Sequence, residues 1–97
     1  MNVIKTDRRT LMGHLQATGK DFHLKFLGLL PHGTAGHVPG DDAVEFLAEK
    51  QADISLLDLA GAELDLSERL GRPVAIVLDS GLRGDYGARV RASLRPL

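Results

Sequence analysis

Asp41, Asp42 and Glu45 stand where the sequence leaves a bend and re-enters an apolar run, and such a group of carboxylates suits divalent-cation chemistry. Upstream, Gly28 breaks the run FLGLL and Gly33 sits in the bend PHGTAGHVPG. The same stretch therefore offers backbone N–H groups of the kind that cradle a phosphate. Side chains in a strand repeat with a period of two, so Asp41 and Glu45, four apart, would share one face of a strand. Asp41 and Asp42 would point to opposite faces unless Asp41 belongs to the bend. His32 and His37 lie in that bend too, and with one aspartate they would make a two-histidine, one-carboxylate metal set, although their spacing follows no ligand rule. A plainer reading stands beside each of these. The aspartates can simply close a loop and cap local N–H groups. Gly28 can mark close packing against a neighbouring element, and Leu29 and Leu30 can be core.

These residues have to be positioned by elements, and the spacing of apolar residues predicts which. TDRRTLMGHLQAT, Thr6 to Thr18, reads as a short helix with Gly19 as its stop. HLKFLGLL, His23 to Leu30, alternates as a strand that Gly28 interrupts. The bend from Pro31 to Gly40 holds three glycines and two prolines, and DAVEFLA, Asp42 to Ala48, reads as a second strand. In SLLDLAGAELDLSERLG, Ser55 and Asp58 have the spacing of a capping box, and Gly71 and Pro73 end the helix. Leu57, Ala60 and Leu64 line one stripe of it, widened by Leu56, Leu59 and Leu70, and that stripe is expected to be core. PVAIVL is a short apolar strand covered on both faces. The tail is helical around Ala88 to Leu94, with Arg83, Arg89, Arg91 and Arg95 as a solvated cationic face and Tyr86 packing amphipathically. The fold expected is α+β, an α/β sandwich: a small three-stranded mixed sheet with helices packed on it, residues 1–97 forming a single domain.

Composition removes several classes of function. With no cysteine, disulfides, thiol nucleophiles and cysteine zinc sites are excluded. A net charge of −1 with scattered Lys and Arg does not give the basic stripe of a dedicated nucleic-acid binder, so a nucleic-acid partner is not expected. No apolar stretch approaches bilayer length and MNVIKTDRRTLMGH lacks the apolar core of a signal peptide, so a soluble, cytoplasmic protein is expected.

From Phe26 to Leu97 the sequence resembles the minimal nucleotidyltransferases of the DNA polymerase β superfamily. Gly28 and Gly33 match the family's glycine turn, DDAVEF its second strand, SLLDLAGAELDLSERLGRPVAIV its helix and third strand, and RASLRPL its tail. The resemblance implies nucleotidyl transfer from a nucleoside triphosphate by two magnesium ions about 4 Å apart, held by carboxylates. It also implies which working groups this chain has replaced. Leu29 stands where the family's phosphate-binding serine belongs, and His32 where an arginine belongs. Pro39 or Gly40 takes the place of the first aspartate, Asp41 or Asp42 that of the second, and Ala75 that of the third.

Asp41 and Asp42 are thus expected as vestiges of a catalytic site, and Gly28, Leu29 and Gly33 as a vestigial nucleotide turn. The expected function is that of a nucleotidyltransferase-fold protein without catalysis, a binding or regulatory partner. The resemblance implies an antitoxin-like role beside a helical HEPN-type toxin, or a homodimer. The alternative is a divergent enzyme requiring magnesium and ATP, with Asp41, Asp42 and Glu45 as metal ligands. A nucleotide sensor using Gly28 and His32 without metal is a third expectation.

Overall fold

Asp7 opens the first helix, its side chain accepting the Thr10 N–H at 2.8 Å. The helix, α1, is Arg8–Phe22 in the computed structural model, which describes residues 7–34 and 42–97. His37, Pro39, Gly40 and Asp41 lie outside the described residues. Gly19 does not stop α1. It is buried where the helix meets the following strand, and a Cβ there would sit 2.4 Å from the Leu24 carbonyl oxygen. The stop is His23, in the left-handed conformation with φ 59°.

Strand β1, Leu24–Leu30, pairs antiparallel with β2, Val44–Lys50, across a bulge between Phe26 and Gly28. Helix α2, Leu56–Leu70, then crosses to β3, Val74–Leu78, which lies parallel to β2. The capping box forms as the sequence predicts: Asp58 N–H donates to Ser55 Oγ at 3.1 Å and Ser55 N–H to Asp58 Oδ2 at 3.0 Å. Gly71 ends α2 at φ 68°. A short 3-10 turn, Asp79–Gly81, leads to α3, Gly84–Ser93.

The sheet gains one strand over the three expected. Among the described residues its order is β3-β2-β1-β4, where β4 is Arg95–Pro96, antiparallel to β1. A strand of two residues is too short to show a period of two, so the tail reads as helix to its end. Its contact with β1 explains Gly28, which faces Pro96 across the ladder. A Cβ on Gly28 would lie 2.3 Å from the Arg95 carbonyl oxygen.

Both faces of the sheet are covered. On one, Val44, Phe46, Ala48, Val74 and Ile76 pack with Leu11 and Leu15 of α1 and Ala62 and Leu66 of α2. Phe26 meets Phe46 edge to face at 5.6 Å. On the other, Leu30 and Leu47 pack with Leu82 and with Val90 of α3. The two helices on the first face are tied by the Thr18 hydroxyl, which donates to Asp65 Oδ2 at 2.7 Å. That bond, and then Arg69 at 3.0 Å, hold the Asp65 carboxyl below the ordinary aspartate range.

One expectation about α2 is overturned. Its buried centre is Ala62 and Leu66, with Leu59 and Leu70 beside them, whereas Leu57 and Leu64 face outward at 82% and 62% exposure, with Leu56 at 84%. The helix is apolar on two sides, and a period of 3.6 residues does not say which side meets the sheet.

Candidate functional site

Glu45 is the charged side chain at the centre of the second face. It lies in β2, 4% exposed, between Phe46 and Val44, both of which point to the opposite face. Across the ladders its partners are Leu30 on β1 and Ala75 on β3, so one row runs Leu30, Glu45, Ala75. Burying a carboxylate demands a donor, and the bend after β1 supplies it. Pro31 to Thr34 close a tight turn, Thr34 N–H donating to the Pro31 carbonyl at 3.2 Å. Gly33 adopts φ 88°, as the third residue of a type II turn requires. Its N–H donates to Glu45 Oε2. His32 Nδ1 stands 3.7 Å from the same oxygen, giving an ion pair when the imidazole is protonated. The turn is held from the other side by Tyr86 of α3, whose hydroxyl donates to the Thr34 carbonyl at 3.1 Å.

The residues singled out in the sequence therefore separate. Gly28 and Leu29 are not part of a turn: β1 continues through both to Leu30, because Leu29 and Leu30 have apolar cover on opposite faces of the sheet. Leu29 packs toward the α1 and α2 side. Leu30 is buried with Leu47, Leu82 and Val90. Gly33 is the one glycine of the set in a tight turn, and its donor points to a carboxylate of its own chain. Asp42 is exposed ahead of β2, its carbonyl accepting Arg72 Nε at 2.9 Å. Asp41 is outside the described residues, so its sharing a face with Glu45 has no structural counterpart here. Ala75 stands next to Glu45 across the β2–β3 ladder.

Sequence reasoning named Glu45 as a substitute ligand and missed its bond to the bend. The signal was available: a single acidic residue inside AVEFLA must be paired if that strand is buried on both faces. Among the described residues, no three histidine, aspartate or glutamate side chains converge as a metal donor set. A cavity of about 550 Å³ lies elsewhere, between α1 and the start of β1, lined by Met12, Leu15, Leu24, Phe26 and Leu97 with Lys20 at its edge. It shares no residue with the Glu45 turn.

No family model and no curated protein matches the chain. A solved structure described as a proposed minimal nucleotidyltransferase does. It matches over 96% of this chain and 98% of its own, with a TM-score of 0.67 and 24% identity. The architecture is thus nucleotidyltransferase-like, an α+β fold whose four-stranded mixed sheet carries three helices among the described residues. Among those residues no helix is long and apolar enough to cross a membrane.

Proposed function

We propose that this chain keeps the nucleotidyltransferase scaffold without metal-dependent nucleotidyl transfer and acts by binding a protein partner, in the manner of an antitoxin. The observation that carries the first half is the bond from Gly33 N–H to Glu45. In the resembling family a turn of this kind presents backbone donors to a phosphate; here the donor is taken by an internal anion. The described residues do not fit a pair of magnesium ions. Glu45 is flanked across the ladders by Leu30 and Ala75, and hydrocarbon offers a hard cation no ligand. A metal-binding Glu45 would keep Oε2 on the Gly33 N–H, offer the ion its other oxygen, and need further carboxylates from Asp41 or Asp42.

Thermal unfolding with ATP and magnesium tests this reading. A ligand at 100 times its dissociation constant adds about 2.7 kcal/mol to stability. No such gain is expected, and a magnesium-dependent rise in Tm would favour the enzyme. A rise with ATP alone would favour the metal-free sensor.

A further inference from the structure

Strand β1 is paired along only part of its outer side. β4 meets it at Gly28 and Leu29, and beside Leu24, Lys25 and Phe26 no strand of the described residues follows. Gln51 N–H donates to the His23 carbonyl at 2.8 Å, so alternation turns the backbone groups of Lys25 toward β2 and those of Phe26 away from it. Phe26 therefore offers an N–H and a carbonyl to an open lane, and such an edge is a template for a further strand. The cavity of about 550 Å³ adjoins the same three residues, on the face of the sheet where Phe26 packs. Its opposite wall is α1, on which Met12, Gln16, Gly19 and His23 follow at spacings of three and four and share one stripe. From Met12 to His23 this groove between helix and strand edge runs about 16 Å, the length of about five extended residues. Its lining carries Lys20, His23 and Lys25 and, among the described residues, no aspartate or glutamate. Lys25 faces Glu49 across the β1–β2 ladder, whereas Lys20 is exposed and makes no ion pair with a described residue.

We infer that this groove docks an extended segment of another protein, which adds a strand beside β1, sets an apolar side chain into the cavity and brings an acidic residue to Lys20. The inference rests on the partner-binding half of the proposed function and not on the loss of transfer. An extended chain fits because it alone complements the outward backbone groups of Phe26, as in strand addition to a sheet edge. Residues directly opposite on paired strands share a face, so the residue paired with Phe26 points its side chain into the cavity. Met12, Leu15, Leu24 and Leu97 there call for an apolar one. The acid follows from charge, since Lys20 stands at the rim with no carboxylate to meet it. A second copy fits less well. Its own β1 edge is recessed in the same way, the Leu24 carbonyl lying against Gly19 of α1, and edge-to-edge approach would bring the lysines of both copies together. A small amphipathic acid would use the cavity and Lys20 but leave the Phe26 backbone unpaired, and the test separates it.

The test uses labelled peptides of about eight residues that alternate Leu and Thr, so that one edge of the extended chain carries every Leu amide. One peptide ends in Glu at both termini and its counterpart in Lys, and binding to the full chain is followed by fluorescence anisotropy. The Glu peptide should saturate at one per chain and bind about fivefold tighter than the Lys peptide, and Lys20→Glu, at an exposed position, should invert that preference. N-methylation of the Leu amides, which face β1, should weaken binding about tenfold or more, whereas N-methylation of the Thr amides should leave it unchanged. Hydrogen exchange of the Phe26 amide should slow when the Glu peptide binds. Equal loss from both methylated forms, no inversion in the variant, or no binding of the Glu peptide would overturn the inference. So would a Phe26 amide already protected in the free chain, since the lane would then be filled. Decanoate that binds at one per chain where the peptides do not would assign the cavity to a small amphipathic acid and overturn it too. A rise in Tm with ATP and magnesium would defeat the loss of transfer and leave peptide binding as it is, so the two proposals can fail separately.

Discussion

The two faces of this sheet treat their surplus chemistry in opposite ways. Around Glu45 the polar groups turn inward: a carboxylate buried in β2 takes the Gly33 N–H, and Tyr86 fastens the turn through the Thr34 carbonyl. Beyond the other face, α2 turns apolar side chains outward, Leu57 and Leu64 lying away from its buried seam at Ala62 and Leu66. The difference teaches that strand register, which buries Glu45 between Leu30 and Ala75, obliges the chain to satisfy that acid internally, whereas the outward side of α2 carries no such constraint.

The sharpest way to break the comparison is to truncate α2 on each side. Leu66→Ala removes a fully buried side chain and should cost about 2–5 kcal/mol by urea unfolding. Leu57→Ala should change stability by no more than about 0.5 kcal/mol. Similar losses from both would mean that α2 buries its outer ridge in the free protein.

Next in size is Gly28→Ala. If Gly28 exists to admit β4, the new methyl group collides with the Arg95 carbonyl and the cost should be about 1–3 kcal/mol, with loss of amide protection around Arg95. If Gly28 instead served a nucleotide turn, the change would be nearly neutral for stability.

The smallest effect expected is the pH dependence of the α1–α2 tie. Asp65 has a depressed folded pKa, so the unfolded chain takes up its proton first as acid is added. The stabilisation it gives is complete above the ordinary value of 3.8 and fades as pH falls through the lower folded value. Asp65→Asn should therefore cost stability, about 1 kcal/mol, near neutrality, and the gap to the parent should close at low pH. A gap that persists unchanged into strong acid would show that the Thr18 contact does not depend on charge.

How far the sequence discloses this molecule depends on whether the signal is local. The capping box at Ser55 and Asp58, the stop at Gly71 and the apolar strand VAIVL are local and are legible. Gly19 and Gly28 look like a helix stop and a turn because their reasons are distant: each is small to admit a backbone segment, Leu24 in one case and Arg95 in the other. The leucine ridge is visible as a stripe, but its direction is set by the competing stripe through Ala62 and Leu66, which only packing can rank. The Leu30, Glu45, Ala75 row is a product of strand register, and register across a long bend is not written in either strand alone.

The most direct measurement is made on the Gly33 amide. In a proton–nitrogen NMR spectrum of the parent chain, titration with manganese and ATP would broaden signals close to any bound ion. If Glu45 holds the turn and no metal, the signals of Gly33, Glu45 and Ala75 keep their intensity, and the Gly33 proton shifts when Glu45→Gln weakens its bond. Selective broadening of Gly33, Glu45 and Ala75 at low manganese, reversed by chelator, would contradict the internal bond as the end state of this site and restore the enzyme.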